Sequence, residues 1–190
     1  MYNLRRIMLG NLRALFSVIG DIALLRRGPE SLPASTALMA GAVALYLAVY
    51  ALLMSMVPNA PPDWPLRLLV GTIVTLLAFD IAFRVTRKRE RFVQTITALF
   101  GVNVLFLPAL LPMSWALFAY VEKNDPNVPA PFALMIVTTV LAVWMFVVQI
   151  RIVRAAFEWP AFVSVAFILG QTLAGAVVFV LLFGVPVKSV

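Results

Sequence analysis

Residues 78 to 92 read AFDIAFRVTRKRERF. An apolar run holding one carboxylate, Asp80, ends here in a burst of charge formed by Arg84, Arg87, Lys88, Arg89 and Arg91. An apolar stretch followed at once by clustered cations is the pattern of a membrane helix stopped at a basic surface. The pattern recurs along the chain and decides the fold class.

Working outward, five apolar segments can be drawn: Ser35–Met56, Leu66–Val85, Phe92–Val121, Phe132–Arg151 and Pro160–Gly184. Each reaches the roughly 20 residues that a helix needs to cross about 30 Å of hydrocarbon. They are continuously apolar instead of alternating, which argues against barrel strands, and only helices satisfy their own backbone in lipid. The composition agrees: of 190 residues 63% are hydrophobic and 12% charged, with a mean hydropathy of +1.02. That is too apolar for a soluble domain of this length. The expected fold class is an all-α integral membrane protein, with five transmembrane helices preceded by an N-terminal amphipathic interfacial helix.

Arg5, Arg6, Arg13, Arg26 and Arg27 precede the first span, the cluster Arg84–Arg91 follows the second, and Arg151 and Arg154 follow the fourth. The alternate connections, VPNAPPDWP and EKNDPNVPAP, carry one lysine and three acids. Cations on alternate connections place the N-terminus in the cytoplasm and the C-terminus outside. The chain then divides into a cytoplasmic-face helix over 1–27, a five-helix domain over 28–184 and a short external tail over 185–190.

In the first of these units, Leu4, Met8, Leu12, Leu15, Ile19 and Ile22 form one helical stripe, opposite Asn3, Arg6, Arg13, Ser17 and Asp21. Such a helix lies in the headgroup plane with its arginines on phosphate; packing of the apolar face on the bundle is the competing arrangement. Gly28-Pro29 is expected to stop it, and Ser31 or Ser35 to cap the first span.

The net charge of +7 sits in short segments beside apolar runs, which suits anionic lipid headgroups and not nucleic acid. Arg5, Arg6, Arg13, Arg87, Lys88, Arg89 and Arg91 are the candidate lipid- or partner-binding residues, the partner being another protein or a second copy of the chain. There is no cysteine and no histidine, which removes thiolate and imidazole metal sites and every Ser-His or Cys-His couple. No catalytic residue, metal or cofactor is expected.

A second group of candidates lies within the apolar segments: Asp80, Arg84, Asn103, Gln149, Arg151 and Arg154. A lone carboxylate in a span costs about 2.5–3.5 kcal/mol on insertion scales, so it finds a mate or takes up a proton. Arg84, four residues on, and Arg151 or Arg154 across helices are the expected mates. In the third segment Pro108 and Pro112 free two carbonyls near Asn103, giving a kinked helix or a small polar crevice. Small-residue stripes, Ala40, Ala44, Ala48 and Ala51 on the first span and Gly170 with Ala174 on the fifth, are expected to pack within the molecule, with Gln171 bonding across. The triplets Asp63-Trp64-Pro65 and Glu158-Trp159-Pro160 read as shared punctuation at helix starts.

Three stretches, LRALFSVIGDIALLRRGP (12–29), RFVQTITALFGVNVLFLPALLP (91–112) and WMFVVQIRIVRAAFEWPAFVSVAF (144–167), resemble bacterial members of the Yip1 family. The longer acidic and glycine-proline signature of eukaryotic members is absent, leaving only Arg27-Gly28-Pro29. The resemblance implies a cytoplasmic N-terminal segment, five spans, an external C-terminus, a bacterial inner-membrane location and a non-enzymatic scaffold or organiser role. The alternative is a small transporter or channel component using Asp80 and the third span. Reporter tags on the two ends should read opposite compartments; the same compartment for both would overturn the orientation.

Overall fold

The computed structural model describes residues 2–57, 60–123 and 131–184. All described regular structure is helical: α1 (Tyr2–Ala23), α2 (Thr36–Ser55), α3 (Trp64–Val85), α4 (Phe92–Lys123), α5 (Phe132–Phe157) and α6 (Ala161–Phe183). Single 3₁₀ turns at Pro29–Ser31 and Arg89–Arg91 precede α2 and α4. Five helices, α2 to α6, are long and apolar enough to cross a membrane. The tail over 185–190 and most of the 122–131 connection lie outside the described residues, as do the side chains of Arg5 and Arg6.

Local chemistry sets the helix ends. Ser35 caps α2, its hydroxyl accepting from the Leu38 amide at 3.3 Å, whereas Ser31 donates to the Gly28 carbonyl at 2.7 Å. The first helix stops at Ala23, earlier than Gly28-Pro29 suggests. Leu25 turns left-handed at φ 61°, its amide reaching the Ile22 carbonyl and that of Arg26 reaching Asp21. The same closure ends α3, with Arg87 left-handed at φ 57° and the Lys88 amide on the Phe83 carbonyl. This double bond back into the last turn satisfies carbonyls that a helix end leaves open.

Helix α4 is central: α2 and α5 pack along it, α1 and α3 also touch it, and α6 closes against α3 and α5. Its 32 residues would measure about 48 Å, and it runs through Pro108 and Pro112 as one helix. The main core gathers Phe79 and Phe83 of α3, Ile96, Leu99 and Phe100 of α4, Val153 and Phe157 of α5, and Ile168 of α6. Here Phe157 stacks between Phe83 at 4.2 Å and Trp159 at 4.3 Å between ring centroids. Buried hydroxyls of Thr72, Thr95, Thr97 and Ser164 each donate to a carbonyl four residues back, so none is left unbonded.

Three sequence expectations are revised. The fourth long apolar helix does not end at Arg151 but continues to Phe157, with Ile152, Val153, Ala156 and Phe157 buried while Arg151 and Arg154 face out. The last turns of α1 pack on the bundle instead of offering their apolar face to headgroups. Ile19, Ile22 and Ala23 are buried with Ala98, Val102, Val148 and Ile152, and the Trp144 indole donates to the Ala23 carbonyl at 2.9 Å. Most of the small stripes do not pack internally: Ala40, Ala44, Ala48, Gly170 and Ala174 are exposed, and only Ala51 is half-buried. Instead α2 turns Met39, Ala42, Val43 and Tyr46 to the core, where larger side chains fill the groove beside Phe100. Gln171 does bond across helices, to the Thr75 hydroxyl at 3.0 Å.

Replacing Phe83, which is fully buried, by alanine should lower stability by about 3 kcal/mol or more through the cavity it leaves. Reversible unfolding of the purified chain in detergent measures this.

Candidate functional site

The basic run that follows α3 meets the carboxyl end of α5. The Lys88 ammonium donates to the Phe157 carbonyl at 2.8 Å and to Glu158 Oε2 at 2.7 Å. The Arg91 guanidinium reaches Glu158 Oε1 at 2.7 Å and donates to the Ala155 and Ala156 carbonyls at 3.2 and 3.4 Å. These are the carbonyls that the last turn of a helix cannot bond internally, and cations there also complement the helix dipole. Glu158 sits left-handed at φ 59°, which directs the chain into Trp159-Pro160 and α6. Its carboxyl is held below the usual carboxylate range by hydrogen bonds from Lys88, then from Arg91, and by their charges.

Within α3, Asp80 pairs with Arg84 at 2.6 Å, one of the three expected mates, and Arg89 stands 3.8 Å from its other oxygen. Arg151 and Arg154 do not reach it; they project from the outer side of α5. With Ala155, Glu158 and Trp159 they line an open cavity of about 430 Å³. Arg151, Arg154 and Arg87 are exposed and form no ion pair among the described residues, and the same holds for Arg13 and Arg26. Thus the basic residues around this end differ: Lys88, Arg91, Arg84 and Arg89 have acidic partners within the fold, while Arg87, Arg151 and Arg154, like Arg13 and Arg26, have none among the described residues.

Asn103 and Gln149 meet between α4 and α5, the Gln149 amide donating to Asn103 Oδ1 at 3.4 Å. No hydrogen bond or ion pair among the described residues joins this couple to Asp80 and Arg84. Among the described residues no three acids converge as a metal-binding group would require. Glu158 is the important residue that the sequence reading left as punctuation. The available signal was an acid placed directly after a helix whose partners could come from a lysine and an arginine three residues apart. Compared with protein-family models, curated proteins and solved structures, the chain has no significant match, so its own geometry carries the functional argument.

Because the Glu158 carboxyl is depressed, the stability it adds is present above the ordinary carboxylate range and is lost as pH falls through its folded value. Melting of the wild-type chain should therefore drop on acidification below about pH 4.5, the group's ordinary value, and Glu158→Gln should melt lower at neutral pH and show a flatter acid limb. Thermal scans across pH 3 to 7 check both.

Proposed function

We propose that this chain is a five-span membrane protein that organises its surrounding bilayer by gathering anionic headgroups on its basic end, without catalysing a reaction. The observation that carries the reading is the set of exposed arginines, Arg87, Arg151 and Arg154, which have no acidic partner among the described residues. Guanidinium donors matched in pairs to phosphate oxygens are the usual means of holding such headgroups, and Arg151 and Arg154 share one open cavity. The clamp on Glu158 supports it, because it fixes the neighbouring backbone and so fixes where these arginines stand.

The N-terminus lies in the cytoplasm and the C-terminus outside, a reading supported by cations on alternate connections. The first turns of α1, with Arg5, Arg6 and Arg13, lie along the same headgroup plane, while its last turns dock on α4 and α5. The resemblance to bacterial Yip1-family proteins supports an organiser in the inner membrane.

The test is thermal melting of the full chain in detergent with added dioleoyl phosphatidylglycerol or dioleoyl phosphatidylcholine, at low and high salt. Phosphatidylglycerol should raise the melting temperature more than phosphatidylcholine, less so at high salt, and Arg87→Gln/Arg151→Gln/Arg154→Gln should remove the difference. Equal effects of the two lipids would overturn the reading. Solute flux in proteoliposomes that Asp80→Asn abolishes at unchanged folded yield would replace it with the transporter alternative.

A further inference from the structure

At the end of the bundle away from the arginine-rich turn, α2 leans on α4 while α3 leans on α6, and a crevice of about 620 Å³ opens between them. This is the size of a site for a small amphiphile. Tyr46, Tyr50, Arg67, Gly71, Thr72 and Phe179 contribute to its lining. The absent side chain at Gly71 makes the room, since a Cβ there would stand 3.3 Å from the Phe179 ring.

The polar groups fall into two tiers. At the mouth, Arg67 holds Asp63 through two nitrogens, Nε at 2.8 Å and Nη2 at 2.7 Å, and both go to the same oxygen, Oδ2. Among the described residues Oδ1 has no side-chain partner, and Arg67, lying over the Phe183 ring at 4.4 Å, has none on its Nη1 donors. Arg67 therefore offers an anion-binding position in the crevice wall, and Asp63, held beside it just outside the lining, an acceptor for a cation, the pair carrying no net charge. Deeper in, Tyr46 and Tyr50 lie nine and five residues from the end of α2, about 14 and 8 Å along the axis. Their hydroxyls have no hydrogen-bond partner among the described residues, whereas Thr72 is bonded to the Leu68 carbonyl and Thr75 to Gln171. A phenol between apolar helices calls for an acceptor.

We infer that this crevice binds one zwitterionic glycerophospholipid with a primary ammonium headgroup. Its phosphate lies on Arg67, its ammonium on Asp63 Oδ1, an ester carbonyl on Tyr50 and an acyl chain beside Gly71 and Phe179. A purely anionic head would leave Asp63 facing phosphate, and a trimethylated ammonium could not donate to Oδ1. The inference rests on the chain spanning a bilayer and is independent of headgroup binding at the basic end.

The experiment is native mass spectrometry of the full chain, delipidated in detergent and mixed with dioleoyl phosphatidylethanolamine, phosphatidylcholine or phosphatidylglycerol. One phosphatidylethanolamine should be retained with about fivefold preference over the other two, the weight of one hydrogen bond. Tyr50→Phe and Asp63→Asn should each weaken retention by about that factor, and Gly71→Leu should abolish it. Arg151→Gln/Arg154→Gln should leave it unchanged, which separates this site from the basic end. Equal retention of the three lipids, preference for phosphatidylglycerol, or retention by a folded Gly71→Leu chain equal to wild type would overturn the inference. Should Gly71→Leu not fold, undiminished retention by both Tyr50→Phe and Asp63→Asn overturns it.

Discussion

The carboxyl end of α5 exposes carbonyls that its own helix cannot satisfy, and the α3–α4 connection satisfies them. Lys88 and Arg91 reach Ala155, Ala156 and Phe157 and share the Glu158 carboxylate between them. Two connections far apart in sequence are thereby tied at one end of the bundle. Directly beneath, the Phe83, Phe157 and Trp159 rings stack, so polar closure and aromatic packing fix the same few backbone positions. Charge-assisted bonds to carbonyls beside an apolar stack are stronger than exposed ion pairs, because less water competes for them.

This closure makes the molecule unequal along its length. The buried residues concentrate near the basic end: Phe79 and Phe83, Ile96 to Val102, Val148 to Phe157, and the last turn of α1. At the other end α2 and α3 part and a crevice replaces the core. Rigid backbone at one end allows exposed arginines to hold a defined spacing. Parted helices at the other leave polar side chains, notably two tyrosines, without a hydrogen-bond partner among the described residues.

The two similar triplets show how far local pattern reaches. In Asp63-Trp64-Pro65 the acid serves its own helix, pairing with Arg67 one turn on. In Glu158-Trp159-Pro160 the acid turns away from the helix it precedes and joins residues some seventy positions earlier. Nothing in either tripeptide distinguishes the cases, since the partners of Glu158 arrive by chain folding. Arg151 and Arg154 misled in a related way. They read as a span boundary, yet helical period carries the apolar residues between them into the core and leaves the arginines outside. The alanine stripe on α2 has the spacing that favours close approach, but the opposite face, with Tyr46 against Phe100, has the bulk that fills the groove.

Hydrophobicity and helix length are summed over neighbours in sequence, so the five long helices and the start of the first apolar segment at Ser35 were legible from residues alone, while Arg84 was one of three mates the sequence allowed Asp80. Which face of each helix turns inward, which cations are consumed by the fold and which remain open depend on shape fit and on hydrogen-bond partners from distant segments. Those are properties of the assembled bundle, because a carbonyl at the end of α5 acquires its donor only when another connection is brought beside it.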